Sequence, residues 1–171
     1  MYCVGDFVIK VNCGICRIED ILHPDIPSIE KDRLYYLLIP QEDKKTKMYV
    51  PIDRTDKGLR KVMSSVEAWD IIEKIPKIEA AWITDDKQRE QKYKEAIQSC
   101  KPESLVSIIK DMYARKQKRT AQGKKSTTID ERFFRLAEDN LYTELAFAIG
   151  KDKEEMRQLI ADTIEKKKAT N

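Results

Sequence analysis

The spacing of apolar residues changes near residue 64, and this change divides the chain into two parts. Before that point, the stretch 15–21 alternates apolar and polar residues, and a period of two predicts a half-buried β-strand. Three other short runs rich in apolar and β-branched residues predict strands, at 7–11, 33–39 and 46–50. Closely spaced short strands favour a small β-barrel, because closure removes the open edges of the sheet.

After residue 64 the pattern is typical of helices. Ser64 and Glu67 have the spacing of a capping box, which predicts that a helix begins there. That helix should end at Ile75, because a residue that precedes proline avoids the helical region of backbone conformation. Trp69 falls on the apolar face of this helix and is expected in the core.

Four more helices are predicted, each from a capping residue or a stop signal at its end. Between the second and third of these, the stretch 115–126 is polar and basic, and its simplest interpretation is a solvated loop between helices. The signals are the run 84–86, Pro102, the pair Thr128 and Glu131 with Gly150 as the stop, and the pair Asp152 and Glu155.

The composition describes a chain with modest cores and highly charged helix faces. Of its 171 residues, 41% are hydrophobic and 37% are charged, where about a quarter is usual for charged residues. The net charge of +3 is mildly basic and decides little by itself. Together with the length, the pattern predicts an α+β protein with strands in 1–63, a connecting helix in 64–76 and an all-α bundle in 77–171.

No apolar run is long enough to span a membrane, and the first residues lack the basic and apolar regions of a signal peptide. The sequence therefore predicts a cytoplasmic protein without a membrane partner. In that compartment cysteines stay reduced, so no disulfide framework is expected. The four thiols are Cys3, Cys13, Cys16 and Cys100.

The sequence contains no group of residues with catalytic chemistry, so it predicts a protein that is not an enzyme. His23 is the only histidine, and it lies in a proline-containing loop without a serine or cysteine partner. Cys13 and Cys16 have C-x-x-C spacing, but a zinc site needs four ligands and a redox motif needs a strand-to-helix context. We therefore predict no metal and no cofactor, and interpret both cysteines as small buried hydrophobic residues, with a thiol or metal sensor as the alternative.

Several short motifs, taken in order and at their spacing, resemble the CarD family of bacterial transcription regulators. In the first part they are V-G-D-F-V at 4–8, the turn glycine at 14, Y-Y-L-L at 35–38, V-P at 50–51 and G-L-R at 58–60. In the second part, Q-K-Y-K at 91–94, the helix 105–113 and E-L at 144–145 are similar to the family's helical C-terminal domain. The sequence departs from the family's pattern where Cys13 and Cys16 replace a histidine and a glycine, and where Tyr49 replaces an arginine.

The resemblance implies a Tudor/SH3-like barrel that binds the RNA polymerase β subunit, partly by adding strand edge to strand edge. It also implies that the helical domain binds promoter DNA at the upstream edge of the melted bubble, through its backbone and minor groove, and stabilises the open complex. Such a protein would be nucleoid-associated, as a monomer or as a domain-swapped dimer. The alternative is an adaptor on polymerase whose helical domain binds a protein and never touches DNA.

The resemblance and the charge pattern together name the candidate site residues. For polymerase, we expect contacts from Tyr36, Lys45, Lys47 and Tyr49. For DNA, Trp82 is expected to wedge into the minor groove, as a tryptophan of the family does, or else to pack between the domains. The basic residues of the helical part are expected to contact phosphates, or else to face solvent. They are Lys92, Lys94, Arg115, Lys116, Lys118, Arg119, Lys124 and Lys125.

Overall fold

A computed structural model describes residues 1–54 and 58–169 of the chain, with side chains described through Thr163. The chain divides into two compact units, Met1–Val62 and Met63–Asn171. The first unit is built on a β-sheet and the second is all helical, which confirms the predicted α+β class.

The first unit is a curled antiparallel sheet that forms a half-barrel. The five strands found in residues 1–54 and 58–62 are arranged in the order β4-β3-β2-β1-β5, and a short 3-10 helix, Ile52–Arg54, follows β4. The side chains of Val8, Cys16, Ile18, Tyr36, Leu38 and Leu59 form the core of this unit. The strands are β1 Phe7–Lys10, β2 Gly14–Leu22, β3 Tyr35–Pro40, β4 Met48–Pro51 and β5 Leu59–Lys61.

The half-barrel has two strand edges. Among the described residues, β4 is hydrogen-bonded only to β3, and β5 is hydrogen-bonded only to β1. The sheet thus curls into the predicted Tudor-like form while these two edges remain open. The outer backbone side of β4 has the geometry needed to accept a further strand.

In the second unit, the described residues form five α-helices around one apolar core. Helix α1 contributes Ala68, Ile71 and Ile72 to the same core as the later helices, so it is packed into the bundle. A 3-10 turn, Ile75–Lys77, follows α1 and precedes an extended segment at 78–85. The helices are α1 Ser65–Lys74, α2 Asp86–Ser99, α3 Pro102–Ala121, α4 Thr128–Ile149 and α5 Lys153–Ala169.

Most of the predicted helix ends are confirmed. Ser64 accepts the Glu67 backbone N–H while the Glu67 carboxylate accepts the Ser64 N–H, so the capping box is present. Gly150 ends α4 in the left-handed conformation, with φ +74°. One start was misplaced by a residue, because the hydroxyl of Thr127 rather than that of Thr128 accepts the Asp130 N–H, at 3.1 Å.

Two predictions about the helices are wrong. Helix α3 continues to Ala121, so most of the basic stretch is helical and only Lys124 and Lys125 lie in the loop that follows. Trp69 is 40% exposed rather than buried, because the core side of α1 is formed by Ala68, Ile71 and Ile72.

Candidate functional site

Trp82 lies in the extended segment between the 3-10 turn and α2, and its side chain is 69% exposed. Its backbone is left-handed, with φ +48°. For a bulky residue other than glycine this conformation is uncommon, and it costs about 1–2 kcal/mol. A large aromatic side chain therefore stands in solvent on a strained backbone, and strain of this kind is typical of functional sites.

Hydrogen bonds to α3 hold the backbone on both sides of Trp82. The Ala81 N–H donates to the Ser107 carbonyl at 3.1 Å, and the Ile83 N–H donates to Asp111 Oδ1 at 3.2 Å. The Arg115 guanidinium donates to the carbonyl of Ile83. These contacts fix the segment against the helix while the indole points away from the core.

Two contacts from α3 extend the attachment toward the start of the segment. The hydroxyl of Ser107 donates to the Glu79 carbonyl at 2.8 Å. The ammonium of Lys110 donates to the carbonyl of Ile78 at 2.6 Å and also bonds the carbonyl of Ile75. The segment is thus joined to one face of α3 along most of its length.

Asp111 is the centre of a cluster of polar side chains beneath this segment, which also contains Tyr93 and Arg115. It is 4% exposed, and its second oxygen, Oδ2, accepts a hydrogen bond of 3.0 Å from the Tyr93 hydroxyl. Arg115 Nε lies 3.8 Å from the same oxygen, too far for a hydrogen bond but close enough for attraction between charges. Burial, and then the charge of Asp111, raise the pKa of Tyr93, so its hydroxyl remains a donor.

Sequence reasoning missed Asp111, although one signal was present. Ile108 and Met112 were assigned to the apolar face of α3, and Asp111 lies on the same side of the helix at positions i+3 and i−1 from them. A carboxylate on an apolar face needs buried partners, because an unpaired buried charge is unfavourable.

The predicted DNA-contacting cations fall into two groups. Three of them bind other parts of the protein: Arg115 bonds Ile83, Lys94 pairs with Glu90 at 2.8 Å, and Arg119 donates to the carbonyl of Lys125 at 2.8 Å. The other five are exposed and form no ion pair with the described residues. They are Lys92, Lys116, Lys118, Lys124 and Lys125.

A cleft of about 610 Å³ opens between α3, α4 and α5. Lys116, Arg135 and Arg157 line it, so it brings a predicted cation together with two arginines that sequence reasoning missed. Glu138 lines the same cleft, and burial raises the pKa of its carboxyl group. With charges of both signs on its walls, the cleft is not a purely cationic surface.

The polymerase-binding candidates also separate by exposure. Lys45 and Lys47 are exposed, and Tyr49 is half-buried on the edge strand β4, whose neighbours Met48 and Val50 pack on the core. Tyr36, predicted as a contact, is 0% exposed, and its hydroxyl accepts the Tyr2 N–H at 2.9 Å. We therefore correct the prediction for Tyr36, because its side chain forms part of the core.

The C-x-x-C pair lies at the start of β2. The sulfur atoms of Cys13 and Cys16 are 3.8 Å apart, and Cys16 is 0% exposed within the core. Burial raises the pKa of the Cys16 thiol to about 12, so it stays protonated at neutral pH. Among the described residues no group of three or more potential ligands could hold a metal ion.

Comparison with known families decides the assignment. A family model described as the CarD-like/TRCF RID domain matches residues 2–63, and a second, described as the CarD C-terminal domain, matches residues 70–161. The chain belongs to the CarD family. No curated protein matches the chain significantly.

As a CarD-family protein, the chain is a transcription regulator of the kind that interacts with RNA polymerase. Both matched domains are regulatory interaction domains, and neither indicates a catalytic family. Of the helices that the structure describes, none combines the length and apolar character needed to cross a membrane.

The family's G-L-R landmark has a physical reason in this structure. Gly58 has φ +91°, and a Cβ atom at this position would lie 2.9 Å from the Cγ2 atom of Val11. The carbonyl of Gly58 accepts the Val11 N–H at 3.0 Å, immediately before β5 pairs with β1. Glycine is therefore required both for the left-handed turn and for the close approach of the two chain segments.

Proposed function

We propose that this protein binds the β subunit of RNA polymerase through its first unit and promoter DNA at the upstream edge of the melted bubble through its second. Its effect would be to stabilise the open complex. The observation that carries the proposal is Trp82, an exposed aromatic residue in a strained conformation whose flanking peptides are bonded to α3.

On the polymerase side, the edge strand β4 supports docking by strand addition. Its outer backbone can form main-chain hydrogen bonds with a strand of the β subunit, which give affinity, while alternate side chains give selectivity. Tyr49 on β4, with Lys45 and Lys47 just before it, offers one aromatic and two cationic side chains at this edge. Tyrosine is a residue type enriched among those that dominate binding energy at interfaces.

On the DNA side, Trp82 is suited to act as an apolar wedge between base pairs in the minor groove. Such wedges unstack a base step at a cost of about a few kcal/mol and hold the DNA bent or open. Exposed lysines of the same unit, among them Lys92 and Lys118, would contact phosphates without reading sequence. Binding should therefore be sensitive to salt and only weakly specific.

The direct test is the lifetime of open complexes formed by purified polymerase on a promoter, measured after addition of a competitor. Trp82→Ala should shorten the lifetime that the full-length protein confers, while binding to polymerase is retained. Trp69→Ala is the matched control, because it removes an exposed tryptophan from the same unit and should leave the lifetime unchanged.

The adaptor alternative has one observation in its favour. Lys94, Arg115 and Arg119, three of the predicted phosphate contacts, are engaged within the protein, which reduces the cationic surface left for DNA. An unchanged open-complex lifetime with Trp82→Ala, together with retained polymerase binding, would favour an adaptor that binds a protein.

A further inference from the structure

We propose that Asp111 is a positioning residue that, together with Arg115, holds Trp82 in its left-handed, outward-pointing conformation. The role in DNA binding that this implies rests on the proposed function, but the positioning itself is a property of the free protein. Asp111 contacts the backbone of Ile83, the residue that follows Trp82, and the side chain of Arg115.

A strained conformation persists only where the surrounding structure determines it. The N–H that Asp111 accepts belongs to the peptide between Trp82 and Ile83, so this hydrogen bond restricts rotation about ψ of Trp82. On the other side, Trp82 is preceded by Ala81, whose N–H donates to a backbone carbonyl of α3. A substitution at Asp111 can therefore remove the hydrogen bond that holds the peptide after Trp82, whereas the bond at Ala81 is formed by backbone atoms alone.

Asp111 and Arg115 form a closed ring with Ile83. The carboxylate accepts the N–H of Ile83, the guanidinium donates to the carbonyl of Ile83, and the two charged groups attract each other across 3.8 Å. Both polar backbone groups of one residue are thus held by an acid and a base one helical turn apart on α3. A single hydrogen bond would leave this residue free to pivot, whereas the ring holds it at two points.

The burial of Asp111 makes this arrangement rigid. At 4% exposure the carboxylate cannot exchange the Ile83 N–H for water, and the Tyr93 hydroxyl holds its other oxygen at 3.0 Å. Tyr93 is itself fully buried against Phe133, so the carboxylate is fixed from the core side. The buried Tyr93 thus fixes Asp111, and Asp111 in turn fixes the backbone beside Trp82.

The expected effect follows from the strain that the ring opposes. A left-handed residue is unfavourable by about 1–2 kcal/mol, which corresponds to a factor of about 5 to 30 in population. If the segment relaxes when Asp111 is removed, the fraction of molecules with Trp82 in its left-handed, outward-pointing conformation should fall by about this factor. Asp111→Ala should therefore weaken the effect on open-complex lifetime by about this factor. Asp111→Asn retains an oxygen that can accept the Ile83 N–H, so it should preserve most of the effect.

The first measurement needs neither DNA nor polymerase. In a Trp69→Phe background Trp82 is the only tryptophan, and time-resolved fluorescence anisotropy of the full-length protein reports its local motion. Asp111→Ala should add a fast component of local motion that Asp111→Asn lacks. Ile160→Val is the control for a merely structural effect, because it removes a buried methyl group from the same core and lowers stability while leaving Asp111 and its partners in place.

Unchanged anisotropy in a folded Asp111→Ala variant, or equal mobility in Ile160→Val, would overturn the proposal. If Asp111→Ala does not fold, Arg115→Met tests the same ring from its more exposed member, and unchanged Trp82 motion there would overturn the proposal as well. Failure of the proposed function looks different, because Trp82→Ala would then leave open-complex lifetime unchanged while Asp111→Ala still mobilised the indole.

Discussion

At position 82 we expect a glycine variant to be more stable than an alanine variant. This is the reverse of the order expected within a helix. Glycine adopts a positive φ without steric cost, whereas alanine keeps the penalty of about 1–2 kcal/mol for the left-handed region. Glycine also loses more freedom on folding, by about 0.5–1 kcal/mol. With φ +48° at this position, we expect the glycine variant to be more stable than the alanine variant by about 0.5–1 kcal/mol.

The loss of the indole itself should lower the stability of the protein only slightly. With 69% of Trp82 exposed, about a third of an aromatic side chain is covered, roughly 60 Å². At about 25 cal/mol per Å² this is at most about 1.5 kcal/mol, whereas removing a core tryptophan costs about 3–5 kcal/mol. The decrease in the free energy of unfolding caused by Trp82→Ala therefore shows whether the indole is exposed to solvent or packs against other parts of the protein.

The assay is urea unfolding of the full-length protein followed by fluorescence of Trp69, which both variants retain in the helical unit. Tyr113→Gly and Tyr113→Ala form the matched control pair, because Tyr113 is also an exposed aromatic residue, at 55%, but lies within α3. There glycine should be less stable than alanine by about 1 kcal/mol. The reasoning is refuted if glycine is also the less stable replacement at position 82.

Three further predictions concern other parts of the chain. Ser64→Ala removes the hydroxyl that caps α1 and should lower the stability of the helical unit by about 1 kcal/mol, measured by the same urea unfolding. Gly58→Ala introduces a Cβ atom 2.9 Å from Val11 and should speed hydrogen–deuterium exchange in β1 and β5, while unchanged exchange would contradict the close approach. Replacing Lys118 and Lys124 by glutamine should reduce the slope of log affinity for duplex DNA against log salt by about 0.9 for each lysine lost. In the same anisotropy titrations, Lys94→Gln should change the slope less, because Lys94 is already paired with Glu90.

The features that the sequence predicted well depend on residues close together in the chain. The capping box of Ser64 and Glu67, the stop at Gly150 and the paired cap of Asp152 and Glu155 all involve residues within four positions of each other. Local hydrogen bonds of this kind follow from residue type and spacing alone. The third-to-last helix was predicted too short for a related reason: its apolar period ends near Met112, and the helix-forming basic residues beyond it carry no periodic signal.

The features that the sequence did not reveal depend on distant residues. The two residues that donate hydrogen bonds to the Asp111 carboxylate, Tyr93 and Ile83, are 18 and 28 positions away, so no short window of sequence contains the group. Strand β5 has only three residues, too few to show alternation, and it is defined by its pairing with β1. The left-handed conformation of Trp82 is imposed by contacts with α3 and contradicts the ordinary preference of the residue.

The distribution of charge also bears on how the proposed function would be divided between the two units. Five of the predicted phosphate-contacting residues remain exposed without an ion pair to described residues, and together they would release about five counterions on binding DNA. Such a surface binds free DNA weakly, and one wedge adds little affinity of its own because unstacking offsets part of its gain.

Docking on polymerase would supply the missing affinity for DNA. Once the first unit is bound, the second unit meets the DNA at an effective concentration of about millimolar for a short linker. In this scheme the half-barrel determines where the protein acts and Trp82 determines what it does there. A variant that loses polymerase binding should therefore lose the effect on open complexes even with Trp82 intact.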